Sequence, residues 1–104
     1  MRKLHTEYGF YILCGDLLGA YAVGSGATWQ DGTDYGNRTQ QQTMLDGVRK
    51  MVEEWKDEPY IAMWVLGNEN VYGVANSAFK DPVNFFKLVN RAAELIHKLD
   101  PSRP

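Results

Sequence analysis

Three stretches hold residues able to do chemistry. Asn68-Glu69-Asn70 sets a carboxylate between two amides, directly after the apolar run Tyr60-Ile61-Ala62-Met63-Trp64-Val65-Leu66 and Gly67. A carboxyl group can give or take a proton at a reacting bond, and an amide can hold a hydroxyl beside it. Asp16 follows a second apolar run, Phe10-Tyr11-Ile12-Leu13-Cys14, and Gly15, so it ends its run as Glu69 ends the other. Between them, residues 17–36 carry Trp29 and Tyr35 among five glycines. Aromatic faces beside Asp, Asn and Ser suit a sugar, whose C–H face packs on a ring while polar groups take its hydroxyls. Glu69 is the candidate catalytic group. Asn68, Asp16, Trp29, Tyr35, Asn70 and Tyr72 are the candidate substrate contacts. Plainer roles compete: Asp16 as a turn residue bonding its own backbone, and the aromatics as plugs.

Rigid elements must stand behind these residues. The run from Tyr60 to Leu66 is short, continuous and bounded by Pro59 and Gly67, the pattern of a strand buried on both faces. Phe10 to Cys14 predicts a second strand, closed by Gly15. Residues 1–8 read as the last turns of a helix capped by Gly9, as though the chain begins inside an element. The long loop 17–36 is too rich in Leu17, Leu18, Tyr21, Val23, Trp29 and Tyr35 for disorder; these side chains want burial or a ligand.

Asn37 and Gln40 have capping-box spacing, and Met44, Leu45, Val48, Met51, Val52 and Trp55 then form one helical stripe. That helix stops before Pro59, leaving Asp57 and Glu58 as solvated turn charges at the far end of the strand from Glu69. A polar connection through Asn76, Ser77 and Lys80 leads to Asp81 as a cap and Pro82 in the first turn of a last helix. Its stripe is Phe85, Leu88, Val89, Ala92, Leu95, Ile96 and Leu99, and His97 and Lys98 suit its C-terminal pole. Strands alternating with amphipathic helices predict a parallel α/β unit occupying residues 1–104 as a single domain.

Composition excludes several classes. The formal charge is −2 with dispersed basic residues, which leaves no electrostatic footprint for nucleic acid. No run approaches the roughly 18 apolar residues of a membrane span, and no apolar segment of a signal peptide follows Met1-Arg2-Lys3. Cys14 is the single cysteine, so it forms no internal disulfide, and without a histidine partner it reads as a small buried hydrophobe. His5 and His97 have no neighbouring ligands in sequence and read as structural. Gly24-Ser25-Gly26 lacks the third glycine and the Lys-Ser/Thr of a phosphate loop. No cofactor and no metal is expected.

Trp64-Val65-Leu66-Gly67-Asn68-Glu69 resembles the fourth-strand signature of retaining glycoside hydrolases built on a (β/α)8 barrel, closest to family 2 with its β-galactosidases and β-glucuronidases. The resemblance runs from about Tyr8 to Pro104 and includes Asp100-Pro101-Ser102-Arg103-Pro104, which in the family leads into the next strand. It implies a carbohydrate substrate, Glu69 as general acid/base and Asn68 as the amide that binds the hydroxyl next to the reacting carbon. The two strands would then be the third and fourth of a TIM barrel.

A whole barrel takes about 250 residues, so 104 residues hold part of one. Either the chain is a barrel fragment, or copies complete the sheet as a homo-oligomer. Four copies around a fourfold axis would supply eight strands. The family's nucleophile, a second Glu on the seventh strand, has no equivalent motif here, and Asp16 of a neighbouring copy would stand near its place. The competing expectation is an inactive module that binds carbohydrate or serves in assembly.

Overall fold

A computed structural model describes residues 1–15, 18, 24–68, 70 and 77–104. A first helix, α1 (Arg2–Tyr8), is closed by Gly9, whose φ of 70° is the left-handed turn that glycine adopts without strain. It leads to β1 (Ile12–Gly15), which pairs in parallel with β2 (Ile61–Val65). The crossover between them contains α2 (Arg38–Trp55), and β2 is followed by a short α3 (Ser77–Lys80) and by α4 (Pro82–Leu99). The parallel α/β alternation expected from the sequence is present.

Both long helices lie on one face of the strand pair. Val48 and Val52 of α2 and Leu88, Ala92 and Ile96 of α4 are buried in one cluster with Ile61 and Trp64 of β2. The opposite face is open. Leu13 and Met63 stand side by side in register and are 63% and 39% exposed. The expectation of burial on both faces is therefore corrected: helices cover one side only, and a barrel interior would have to cover the other. A radius of gyration of 14.5 Å, against about 13 Å for a compact domain of this size, fits that open sheet.

The register holds a break. Ile12 pairs with Ile61, but Leu13 pairs with Met63, so β2 carries one extra residue. This bulge lets Ile61 and Trp64, three apart, both be buried. Gly15 is needed where the strands converge, since a Cβ there would strike the Val65 side chain and backbone.

Other expectations shift in detail. The first strand starts at Ile12, and Phe10 and Tyr11 lie outside it, exposed. Asn37 caps α2 by accepting from Gln40 N at 3.0 Å, but the box is not reciprocal, because Gln40 Oε1 takes Asp34 N at 2.8 Å. Asp81 caps α4 through Asn84 N, with Pro82 in the first turn. The polar connection ends in α3, which buries Ala78 against the core. Glu58 is not a solvated charge: Arg2 Nε donates to it at 2.9 Å, and that hydrogen bond holds its carboxyl below the usual range. Asp57 is exposed, as expected.

Candidate active site

Parallel strands bring their carboxyl ends together, so the segments after β1 and β2 share one end of the sheet. Pairing continues beyond the strands there, with Leu18 N donating to Leu66 O at 2.7 Å. Gly67 follows, and a Cβ on it would collide with the Asn70 side-chain oxygen, so a larger residue there would displace the Asn70 amide from its present place. Asn70 Nδ2 donates to Tyr35 Oη at 2.8 Å and to Leu18 O at 3.4 Å, and Tyr35 Oη donates to Leu18 O at 3.3 Å. The two loops are thereby tied together next to the Asn68-Glu69 position.

Tyr35 is buried to 2% exposure and meets Phe85 of α4 edge-on at 5.0 Å. Gln41 Nε2, one turn into α2, donates to its carbonyl at 2.6 Å. Upstream, Thr33 Oγ1 donates to Ser25 Oγ at 3.0 Å with both residues buried, and Thr28 Oγ1 donates to Asp31 at 2.7 Å. The glycine-rich loop is an ordered scaffold over residues 24–36.

The candidate residues divide into two groups. Asn68 is exposed at the strand end, Asn70 and Tyr35 are brought together as mutual partners, and Trp29 is 57% exposed on the 24–36 loop. The expectation of burial holds for Leu18 and Tyr35 but not for Trp29. Glu69, Asp16 and Tyr72, together with Leu17, Tyr21, Val23 and Asn76, lie outside the described residues. Cys14 is half-buried and its thiol is pushed up by desolvation, which suppresses the nucleophilic thiolate. His5 Nδ1 lies 2.9 Å from Phe10 O, and its ring meets Tyr11 edge-on, at the opposite end of β1.

An open cleft of about 400 Å³ runs between the first loop and the α3–α4 junction, lined by Asp31, Asp34, Gln40, Lys80 and Asp81 among others. Among the described residues no group of three or more His, Cys, Asp or Glu could hold a metal ion, and no helix is long and apolar enough to cross a membrane.

Sequence reasoning missed a second polar cluster, alongside β2. Trp64 Nε1 donates to Asp100 Oδ2 at 2.9 Å, Arg103 Nη1 donates to the same oxygen at 2.8 Å, and Ser102 Oγ donates to Asp100 Oδ1 at 2.9 Å. Burial alone would push Asp100 up, but the hydrogen bonds from Arg103, Trp64 and Ser102 and the Arg103 charge bring it below the ordinary aspartate value. The signal was available: a buried indole N–H needs an acceptor, and Trp64 lies in an otherwise apolar run.

Comparison with known proteins adds one match. No curated protein and no solved structure matches the chain. A family model described as the TIM barrel domain of glycosyl hydrolases family 2 matches residues 1–104. Parallel strands covered by helices on one face, with their carboxyl-end loops joined through Asn70, Tyr35 and Leu18, are the local architecture such a barrel requires. The chain belongs to glycosyl hydrolase family 2, as part of its TIM barrel domain.

Proposed function

We propose that this chain carries the acid/base half of a retaining glycoside hydrolase site of the β-galactosidase/β-glucuronidase type, with Glu69 as general acid/base. The observation that carries the reading is the tied carboxyl end of the β1–β2 pair, where Asn70 joins the segment after β2 to Tyr35 and Leu18 of the segment after β1. Family membership supplies the chemistry.

Retention of configuration needs two carboxyl groups about 5–5.5 Å apart. Glu69 would protonate the leaving oxygen, then deprotonate the attacking water. To hold its proton near neutral pH it needs a raised pKa, from burial or from the negative charge of the nucleophile. Asn68 would bond the sugar hydroxyl next to the reacting carbon. Trp29, Tyr72 and Asp16 would complete the sugar contacts, while Tyr35 and Asn70 act by bracing the loops.

The nucleophile would come from another strand of the barrel, and the open face at Leu13 and Met63 leaves room for further strands. Further copies of the chain would supply such strands, with Asp16 of a neighbour near the nucleophile's place. A single-copy mass by light scattering at working concentration rules out that source.

Hydrolysis of a panel of aryl β-glycosides by the protein and by Glu69→Gln tests the function. Turnover that disappears in Glu69→Gln supports it and identifies the sugar. Absence of turnover by both, with sugar binding unaffected by the substitution, favours a non-catalytic carbohydrate-binding module instead.

A further inference from the structure

Arg103 holds the turn that feeds β2. Its Nη1 donates to Lys56 O as well as Asp100, its Nη2 to Glu58 O at 2.9 Å, and its Nε to Ile61 O at 2.8 Å. Lys56 is the C-cap of α2 and Ile61 is the first residue of β2, so one planar fork spans the whole helix-to-strand connection. Arg103 itself is largely buried, with a side-chain exposure of 17%.

The Ile61 carbonyl is also the place where the ladder is interrupted. The extra residue in β2 lies between Ile61 and Met63, opposite the Ile12–Leu13 step. On the far side of that bulge, Trp64 is held twice: its indole by Asp100, and its backbone N–H by Pro104 O at 3.0 Å. Residues 100–104 therefore grip β2 on both sides of its irregularity.

A bulge decides which face every later side chain takes, because strand side chains alternate with a period of two. Were the extra residue lost or moved, Trp64 would swap faces with Val65, at the strand end that leads through Leu66 and Gly67 to Asn68. We propose that Arg103 is a positioning residue: through Ile61 O and Asp100 it pins the β2 bulge, and thereby sets which faces Trp64 and Val65 take at the strand end that leads into Asn68. The consequence for catalysis rests on the proposed function. The consequence for strand phase does not.

The Arg103→Lys variant of the full chain tests it. Lysine keeps a charge for Asp100 but cannot reach three carbonyls at once. The first readout is the cross-strand nuclear Overhauser pattern, with the Trp64 indole N–H resonance as marker. The expected result is loss of the Leu13–Met63 pairing in favour of Leu13–Ala62, with helical circular dichroism retained. Retention of the Leu13–Met63 pairing with only a lower melting temperature would overturn the proposal. The second readout is kinetic, on aryl β-glycosides: kcat falls by about 10²-fold, the scale of a 1 Å misplacement, with KM changed much less. Equal kcat in both proteins also overturns it. If wild-type protein shows no turnover, the functional reading fails while the pairing readout still decides the phase. Should Arg103→Lys not fold, Asp100→Asn removes the charge that anchors Arg103 and leaves Arg103 itself in place. It is expected to weaken the same Leu13–Met63 contact, and an unchanged contact there counts against the proposal.

Discussion

Removing one oxygen from the loop clasp has a calculable effect. Tyr35→Phe keeps the ring on Phe85 and deletes the hydroxyl that accepts from Asn70 Nδ2 at 2.8 Å and donates to Leu18 O at 3.3 Å. A neutral hydrogen bond contributes a net of about 1 kcal/mol, and the donation at 3.3 Å lies near the weak end of the range. Tyr35→Phe is therefore expected to lower stability by about 1–2 kcal/mol, or roughly 4–8 °C in melting temperature per kcal/mol for a domain near this size. Asn70→Ala removes the same bond from the other side and should lose about 1 kcal/mol. The double variant should lose less than the sum, with a coupling of at least about 0.5 kcal/mol. Urea unfolding of the four proteins measures this. Losses that add to within about 0.3 kcal/mol would refute the clasp. Two side chains whose only role was to touch sugar would leave unfolding unchanged and weaken binding instead.

Two further outcomes test the packing and the Asp100 cluster. Leu88→Ala, at 1% exposure between α4 and the sheet, should lose about 2–5 kcal/mol, whereas Phe86→Ala, at 65% exposure on the same helix, should stay within about 0.5 kcal/mol; both are read from urea midpoints. Asp100 has a depressed carboxyl in the folded state, so its contribution is complete above the unfolded value near 3.9 and is lost as pH falls through the lower folded value. Urea midpoints of wild type and Asp100→Asn should converge as pH is lowered from about 6 to about 2; a constant separation would contradict the assignment.

Strand order, helix spans and caps were legible because each rests on local chemistry. Gly9 ends α1, Asn37 and Asp81 cap α2 and α4, and the stripe from Met44 to Trp55 has one face to bury. What was not legible depends on tertiary partners. Met63 and Leu13 read as buried because an apolar run does not say how many of its faces a short chain can cover. The β2 bulge leaves no mark on Ile61-Ala62-Met63, since all three residues are apolar and suit either phase.

At the candidate site, the family signature pointed to Asn68-Glu69 as the pair to test, and gave no sign of the contact between Tyr35 and Asn70. A tyrosine on a glycine-rich loop reads as a sugar platform until its hydroxyl is seen to face Asn70 and Leu18. Glu58 looked solvated for the same reason, because its partner Arg2 lies 56 residues away in sequence.

The central claim is that Glu69 delivers the proton to the leaving oxygen, and leaving-group dependence tests it most directly. Protonation matters most when the departing phenol is a poor leaving group and least when it departs unaided. Hydrolysis rates are measured for a series of aryl β-glycosides of increasing phenol pKa, with wild type and with Glu69→Gln. The account predicts a rate ratio that climbs along the series, reaching about 10²–10⁴ for the least acidic phenols. A ratio that stays flat across the series, or turnover that survives the substitution intact, would contradict it.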